Sequence, residues 1–339
     1  GTLEKSQKER VKYEVAGDFH ISRVPPFTFS GSRAFKEAYL ELPSIEQISL
    51  GYRTHASINT QKVQVLAIEP DEFSRISWYR DDFSEKPLHE VMHALEHDPE
   101  IYRSLIPEGS SHIGAWTRSQ TLFPFIGLWA VLRDNSGLTW NVSLGQITST
   151  EWALLRNEIP PTAKHPLELV SVQIYEPGHA GNHTPGTILI DNISAFSLDK
   201  GESEIIEDFE SDIDWEVIST SREFTDVLSI ADVGIYPGNR SAVFTFGNKA
   251  VHGLRGFCKS YTGDALPILV NEFLAQKANL QIGNSYQIEI GEILIRVIVK
   301  DIVRQFPTMK HNPKGFVITN LESLILNLNI LDYQSRTDP

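Results

Sequence analysis

The stretch Pro267-Ile268-Leu269-Val270-Asn271-Glu272-Phe273-Leu274-Ala275-Gln276-Lys277-Ala278 decides how the ends of the chain are read. Its apolar residues Leu269, Val270, Phe273 and Leu274 recur with helical spacing, which predicts a helix over 267–278. Downstream, Tyr286 to Ile290, Ile293 to Val303 and Phe316 to Ile318 read as strands, and Leu321 to Leu331 as an apolar helix. The N-terminal side carries the same mixture. Ser32 to Leu42 reads as a helix ended by Pro43, which cannot continue it. Ile45 to Ala56 and Val63 to Ile68 read as strands, the second with Val63, Val65 and Ala67 on one face. Ser84 to His97 reads as a helix capped by Ser84, with Leu88, Val91, Met92 and Leu95 as its buried stripe. Both ends therefore predict α/β or α+β structure.

Between them the texture changes. Short β-type runs alternate with turns: His112 to Thr117, Ile126 to Leu132, Thr139 to Leu144, Glu151 to Leu155, Leu167 to Tyr175 and Thr187 to Ile193. Asp134-Asn135-Ser136-Gly137 and Pro177-Gly178-His179-Ala180-Gly181 punctuate them, and Ile205 to Phe209 and Ala242 to Phe246 follow. This spacing predicts an all-β sandwich. Mixed, then all-β, then mixed predicts one α/β domain built from residues 1–105 and 263–339, with a sandwich inserted over 106–262.

Composition removes several function classes. The chain has 339 residues and a formal net charge of −14. That charge argues against binding a nucleic-acid backbone or an anionic lipid surface. One cysteine, Cys258, excludes an internal disulfide and a thiolate-rich metal site. Glu292, Arg296 and Lys300 interrupt the most apolar run, and a membrane span needs about 20 apolar residues. Lys5, Lys8, Glu9 and Arg10 interrupt the N-terminus, so no signal peptide is read there.

The sharpest catalytic match is His89-Glu90-Val91-Met92-His93. On a helix the two histidines can bind one zinc, with Glu90 as general base, as in metallopeptidases. A third ligand is needed. The extended pattern finds Glu96 and Pro99 where Gly and His belong, and Glu272 is the remaining, distant alternative. The plainer reading is a solvated face of His89, Glu90, His93, Glu96 and His97 opposite the apolar stripe, and it carries more weight. Nucleophile-elbow and phosphate-loop patterns are absent from the sequence. Cys258 beside Lys259 has no assignable catalytic partner. The sequons at Asn141, Asn182, Asn192 and Asn239 are near chance frequency. Trp116, Trp129, Trp140, Trp152 and Trp215 could stack on sugar rings, and more often such residues fill a sandwich core. Asp191, Asp208 and Glu210 could hold a structural calcium, the plainer reading being solvated turn carboxylates. No residue is assigned a catalytic, cofactor-binding or metal-binding role.

Several stretches resemble a known family. Arg10-Val11-Lys12-Tyr13-Glu14-Val15-Ala16-Gly17-Asp18 is similar to the segment that follows the first membrane helix of large FtsX-like (MacB-like) ABC transporter permeases. Leu66-Ala67-Ile68-Glu69-Pro70-Asp71-Glu72-Phe73 and Trp78-Tyr79-Arg80-Asp81-Asp82-Phe83 resemble a recurrent part of their extracytoplasmic domain. Leu266-Pro267-Ile268-Leu269-Val270-Asn271 through Ile282-Gly283, Phe306-Pro307-Thr308 and Gly315-Phe316-Val317-Ile318 resemble its second half. The middle resembles a carbohydrate-binding-module-like jelly roll, through Leu128-Trp129, Pro166-Leu167-Glu168-Leu169 and Ile188-Leu189-Ile190-Asp191-Asn192-Ile193. Residues like that module's opening, Ile206-Glu207-Asp208-Phe209-Glu210 and Trp215, come afterwards. This order reads as a circularly permuted jelly roll, the alternative being one sandwich followed by an incomplete second.

The resemblance implies an α+β fold, a split α/β porter-like domain with an inserted β-sandwich. It implies a non-catalytic extracytoplasmic part of a membrane-bound permease, not an enzyme. The expected partners are a separate cytoplasmic ATPase subunit, a second permease copy and an extracytoplasmic substrate or protein, with no nucleic acid. No cofactor is expected beyond the calcium at Asp191, Asp208 and Glu210. The alternatives are a secreted carbohydrate-binding protein and a zinc metallopeptidase.

Overall fold

The computed structural model describes residues 36–80, 83–96, 104–122, 125–135, 139–175, 185–211, 215–218, 225–247, 255–259, 265–291, 293–309 and 315–329. The chain divides into two compact units. Unit 1 comprises Gly1–Pro99 with Asp264–Leu328, and unit 2 comprises Glu100–Gly263 with Asn329–Pro339.

Unit 1 begins with strands β1 (Gly51–Ile58) and β2 (Gln61–Ile68) and short helices α1 (Pro70–Ile76) and α2 (Leu88–His93). Unit 2 supplies β3 (Leu105–Ile106), β4 (His112–Ser119), β5 (Gly127–Arg133), β6 (Thr139–Gln146), β7 (Ala153–Glu158) and β8 (Leu167–Tyr175). It continues with β9 (Gly186–Ser197), β10 (Glu202–Glu207), β11 (Trp215–Val217), β12 (Val227–Ala231), β13 (Ser241–Phe246) and β14 (Arg255–Lys259). The chain then returns to unit 1 with β15 (Leu266–Asn271), α3 (Glu272–Lys277), β16 (Ser285–Ile290), β17 (Ile293–Val303), β18 (Phe316–Asn320) and α4 (Leu321–Asn329).

The α+β expectation, with its porter-like α/β domain, is overturned. Among the described residues strand accounts for 50% and helix for 13%, so the described structure is mostly β. In unit 1 six strands close into a barrel in the order β1-β16-β17-β15-β18-β2. The opening stretch shows why the helical reading failed. Leu266 to Asn271 is a strand, paired parallel to β17 and antiparallel to β18. Leu266, Ile268 and Val270 pack with Val65, Val297 and Val317, while Leu269 points the other way and packs with Phe73, Met92 and Ile318. Neighbours that feed opposite cores mark a two-residue period, and a strand buried on both faces shows an unbroken apolar run. Helix starts only at Asn271, whose side chain accepts the Leu274 N–H as an N-cap.

Other expected helices shrink for related reasons. The 84–97 helix is confined to Leu88–His93, because Pro87 stands at its N-cap while Ser84 Oγ instead accepts the Lys86 N–H. Of the Ser32 to Leu42 helix, residues 36–40 are helical and the part before Lys36 lies outside the described residues. The resembling stretch Arg10 to Asp18 and the end of the 321–331 helix also lie outside them.

The barrel pairings repeat. The hairpin β1–β2 corresponds to β16–β17, both antiparallel. β2 lies parallel to β18 as β17 lies parallel to β15. The two remaining pairs each join a strand to its own counterpart, β1 to β16 and β15 to β18: Ser57 faces Glu289, and Leu269 faces Ile318. Each half ends in a strand that runs into a helix at an asparagine N-cap, Asn271 or Asn320. The barrel thus has an approximate internal twofold.

Unit 2 consists of two antiparallel sheets. One has the order β12-β13-β9-β4-β7 with β10 also on β9, and the other β11-β14-β8-β5-β6 with β3 also on β8. One core draws on both, for example Ile113, Ile190 and Phe244 from the first and Leu132, Val172 and Phe257 from the second. Two sheets sharing one apolar core form a β-sandwich.

Candidate functional site

Helix α2 turns Val91 and Met92 inward, against Phe73 and Phe306. His89, Glu90 and His93 lie on the exposed side, and His93 Nδ1 sits 2.9 Å from Glu96 Oε2. Glu272, the distant ligand candidate, accepts from Arg304 Nε at 3.2 Å. His97 and Pro99 lie outside the described residues. Among the described residues no three of His, Cys, Asp and Glu come together to hold a metal ion.

The tryptophans separate by sheet face. Trp215 is core: it packs edge-on against Phe257 at 5.5 Å, and its Nε1 donates to Glu207 Oε2 at 2.8 Å. Trp140 packs partly on that core and donates to Asp134 Oδ2 at 2.9 Å. Trp116 and Trp152 are half-buried. Trp129 alternates with the core residues Leu128 and Ala130 on β5, so it stands on the opposite face of its sheet. Its ring meets Tyr175 edge-on at 5.9 Å, and Tyr175 is 42% exposed.

That face carries several polar side chains and is largely covered, since Val131, Ser171, Gln173 and Gly256 on it are buried. One row across it runs Asn141, Val131, Ser171, Cys258 and Glu216, and the next runs Ser143, Trp129, Gln173 and Gly256. Gln173 Nε2 donates to Ser171 Oγ at 2.9 Å. At one end the cross-strand pair Arg133 and Glu168 forms a buried ion pair at 2.5 Å. Sequence reasoning singled out Trp129 and missed Arg133, Ser171 and Gln173. The signal was the polar residues Glu168, Ser171 and Gln173 within the apolar run of β8, although the three-residue step from Glu168 to Ser171 fits one face only through the register shift between β5 and β8. Cys258 lies in this sheet, and burial pushes its thiol well above the ordinary range, so it is a poor nucleophile.

The carboxylates named for calcium each accept backbone N–H groups. Asp191, fully buried, accepts the N–H groups of Asn192 and Ile235, each at 2.7 Å. Burial pushes its pKa up to about 6, and the Glu210 and Asp208 charges push the same way. Glu210 Oε1 accepts the N–H groups of Asn239 at 2.6 Å and Arg240 at 2.7 Å. Asp208 Oδ1 accepts the Glu210 N–H at 3.0 Å. These oxygens clamp residues 235–240 through backbone donors and do not converge on a common point among the described residues. Of the sequon asparagines, Asn192 is buried, Asn141 half-buried and Asn239 exposed, while Asn182 lies outside the described residues.

No helix among the described residues is long and apolar enough to cross a membrane. No protein-family model, no curated protein and no solved structure matches this chain.

Proposed function

We propose that this chain is an extracytoplasmic part of an FtsX-like (MacB-like) ABC transporter permease and carries out no chemical step itself. One observation supports this reading above others. The stretches that resemble such permeases are about two hundred residues apart in sequence, yet they adjoin in unit 1. Leu66 to Ile68 on β2 lies beside Ile318 to Asn320 on β18, and Val317 to Thr319 lies beside Ile268 to Val270 on β15. Phe73 from the first stretch stacks on Phe306 from the last, at 5.3 Å. Segments that resemble one family and also share one core behave as one inherited unit.

On this reading ATP hydrolysis occurs on a separate cytoplasmic subunit. Its nucleotide state biases two arrangements of the membrane helices, and the outer domain follows and handles a substrate or an envelope partner. The test is to read the complete gene, fractionate its product and capture what binds it. Hydrophobic spans before and after this segment, with integral-membrane behaviour and co-purification of a nucleotide-binding subunit, would support the proposal. A reading frame that lacks such spans and yields a soluble product would refute it.

A further inference from the structure

We propose that the two units are thermodynamically independent, so that unit 2 is a self-sufficient module carried by a barrel that needs nothing from it. This goes beyond the permease reading and does not depend on it. Three observations carry it. First, the two ends of unit 2 meet on one edge of one strand. Phe257 and Cys258 of β14 pair with Val172 and Ser171 of β8, and Leu105 and Ile106 of β3 pair with Glu168 and Leu167 on the same strand. The Leu169 N–H donates to the Ser104 carbonyl between them. Outgoing β14 and incoming β3 thus follow one another along β8, about 10 Å apart at 3.3 Å per residue. A unit whose ends meet in its own sheet needs no outside scaffold to hold them together.

Second, the barrel shows that it can close without an insertion. In one half, Val303 of β17 is joined to Phe316 of β18 by residues 304–315 alone. In the other half the same place, between Ile68 of β2 and Leu266 of β15, holds α1, α2 and residues Glu100–Gly263 of unit 2. The pairings repeat across the twofold although the links differ so greatly in length. Third, the apolar cores are separate. The sandwich core lies wholly between Ile106 and Phe257, and the barrel cores use residues before Ser104 or after Ala265.

The experiment uses the full chain. Five of its six tryptophans, all but Trp78, lie in unit 2, so tryptophan fluorescence reports mainly on that unit while calorimetry sees both. Phe244→Ala empties part of the sandwich core, and Val317→Ala part of the barrel. Phe244→Ala is expected to lower the fluorescence-detected transition by about ten degrees and leave a second calorimetric transition in place. Val317→Ala is expected to lower that second transition by about five degrees and leave the fluorescence transition unmoved. Should Phe244→Ala fail to accumulate, Phe244→Leu gives a smaller shift of the same transition. A single transition moved by either substitution would overturn the proposal.

Discussion

Replacing Asp191 by Asn tests whether the buried clamp on residues 235–240 titrates. The carboxylate lies with no solvent exposure on β9 and has only two backbone N–H groups for compensation. Its pKa rises from an ordinary 3.8 to about 6, mainly through burial. The sign follows from proton uptake. Between these values the folded protein holds a proton that the unfolded chain has released, so stability rises as pH falls. The gain begins near pH 7 and is nearly complete at the unfolded value. Moving from pH 7 to pH 5 therefore stabilises unit 2 by about 1.3 kcal/mol through this group alone. Asp191→Asn removes that contribution. The amide offers one acceptor oxygen where the carboxylate offers two, so one N–H loses its partner, at about 1–2 kcal/mol. Loss of the buried charge offsets this, by about 3 kcal/mol at neutral pH. The level of stability is therefore a mixed signal and the pH slope is the clean one. Urea unfolding followed by tryptophan fluorescence, for both proteins at pH 7 and pH 5, gives the difference of slopes. Other titrating groups cancel in that difference. Equal slopes in parent and variant would refute the reasoning.

Three further outcomes follow from the geometry. Asp226→Ala should destabilise unit 2 by about 3–5 kcal/mol in denaturant, because it removes a buried carboxylate 3.0 Å from the Arg255 guanidinium, which is 3% exposed. Gly256→Ala should cost about 2–3 kcal/mol in the same assay: φ is +150° there, and an added Cβ would lie 2.1 Å from the Val172 carbonyl oxygen. His93→Ala should change stability by no more than about 0.5 kcal/mol, since the side chain is 78% exposed, and should leave the zinc content of the purified protein unchanged. A stoichiometric zinc that disappears with His93 would revive the metallopeptidase reading.

The sandwich strands that the sequence shows well are those with a continuous apolar run or strict alternation, such as Leu167 to Tyr175 and Ala242 to Phe246. The strands it hides are short and charged at their ends. Arg255 to Lys259 is not among the strands read from the sequence: its charged ends are matched only when Asp226 is placed against Arg255 and Glu207 near Lys259, and neither partner is a sequence neighbour. The strand read as Ile205 to Phe209 runs from Glu202 to Glu207, three residues earlier at its start and two at its end, where Phe209 takes a left-handed backbone with φ of +54°. The site follows the same logic. Asp191 and Glu210 are visible as carboxylates near strand ends. What they do is set by backbone donors of Ile235, Asn239 and Arg240, which no pattern of residue types announces. The pairing of Arg133 with Glu168 is likewise a consequence of register between β5 and β8.

The misread helix over 267–278 lies at one of two similar junctions in the barrel. Strand β15 passes into α3 at Asn271, and β18 passes into α4 at Asn320, without an intervening loop. At the second the strand and the helix are read apart, whereas at the first a window over the junction averages a two-residue period with a 3.6-residue one. The apolar residues of the strand then extend the apparent helix backwards, as Leu269 and Val270 do for Phe273 and Leu274. The asparagine is the physical boundary in each case: its side-chain oxygen accepts the N–H three residues on, from Leu274 or Ser323, and so starts the helix at one defined place. Asn271 also accepts the Phe316 N–H, at 3.1 Å, which ties the start of β18 to the end of β15. The residue that ends the strand in one half of the barrel therefore also positions the strand contributed by the other half. A sequence can show such an asparagine as a candidate cap, but its second bond exists only once the two halves have closed around a shared interior.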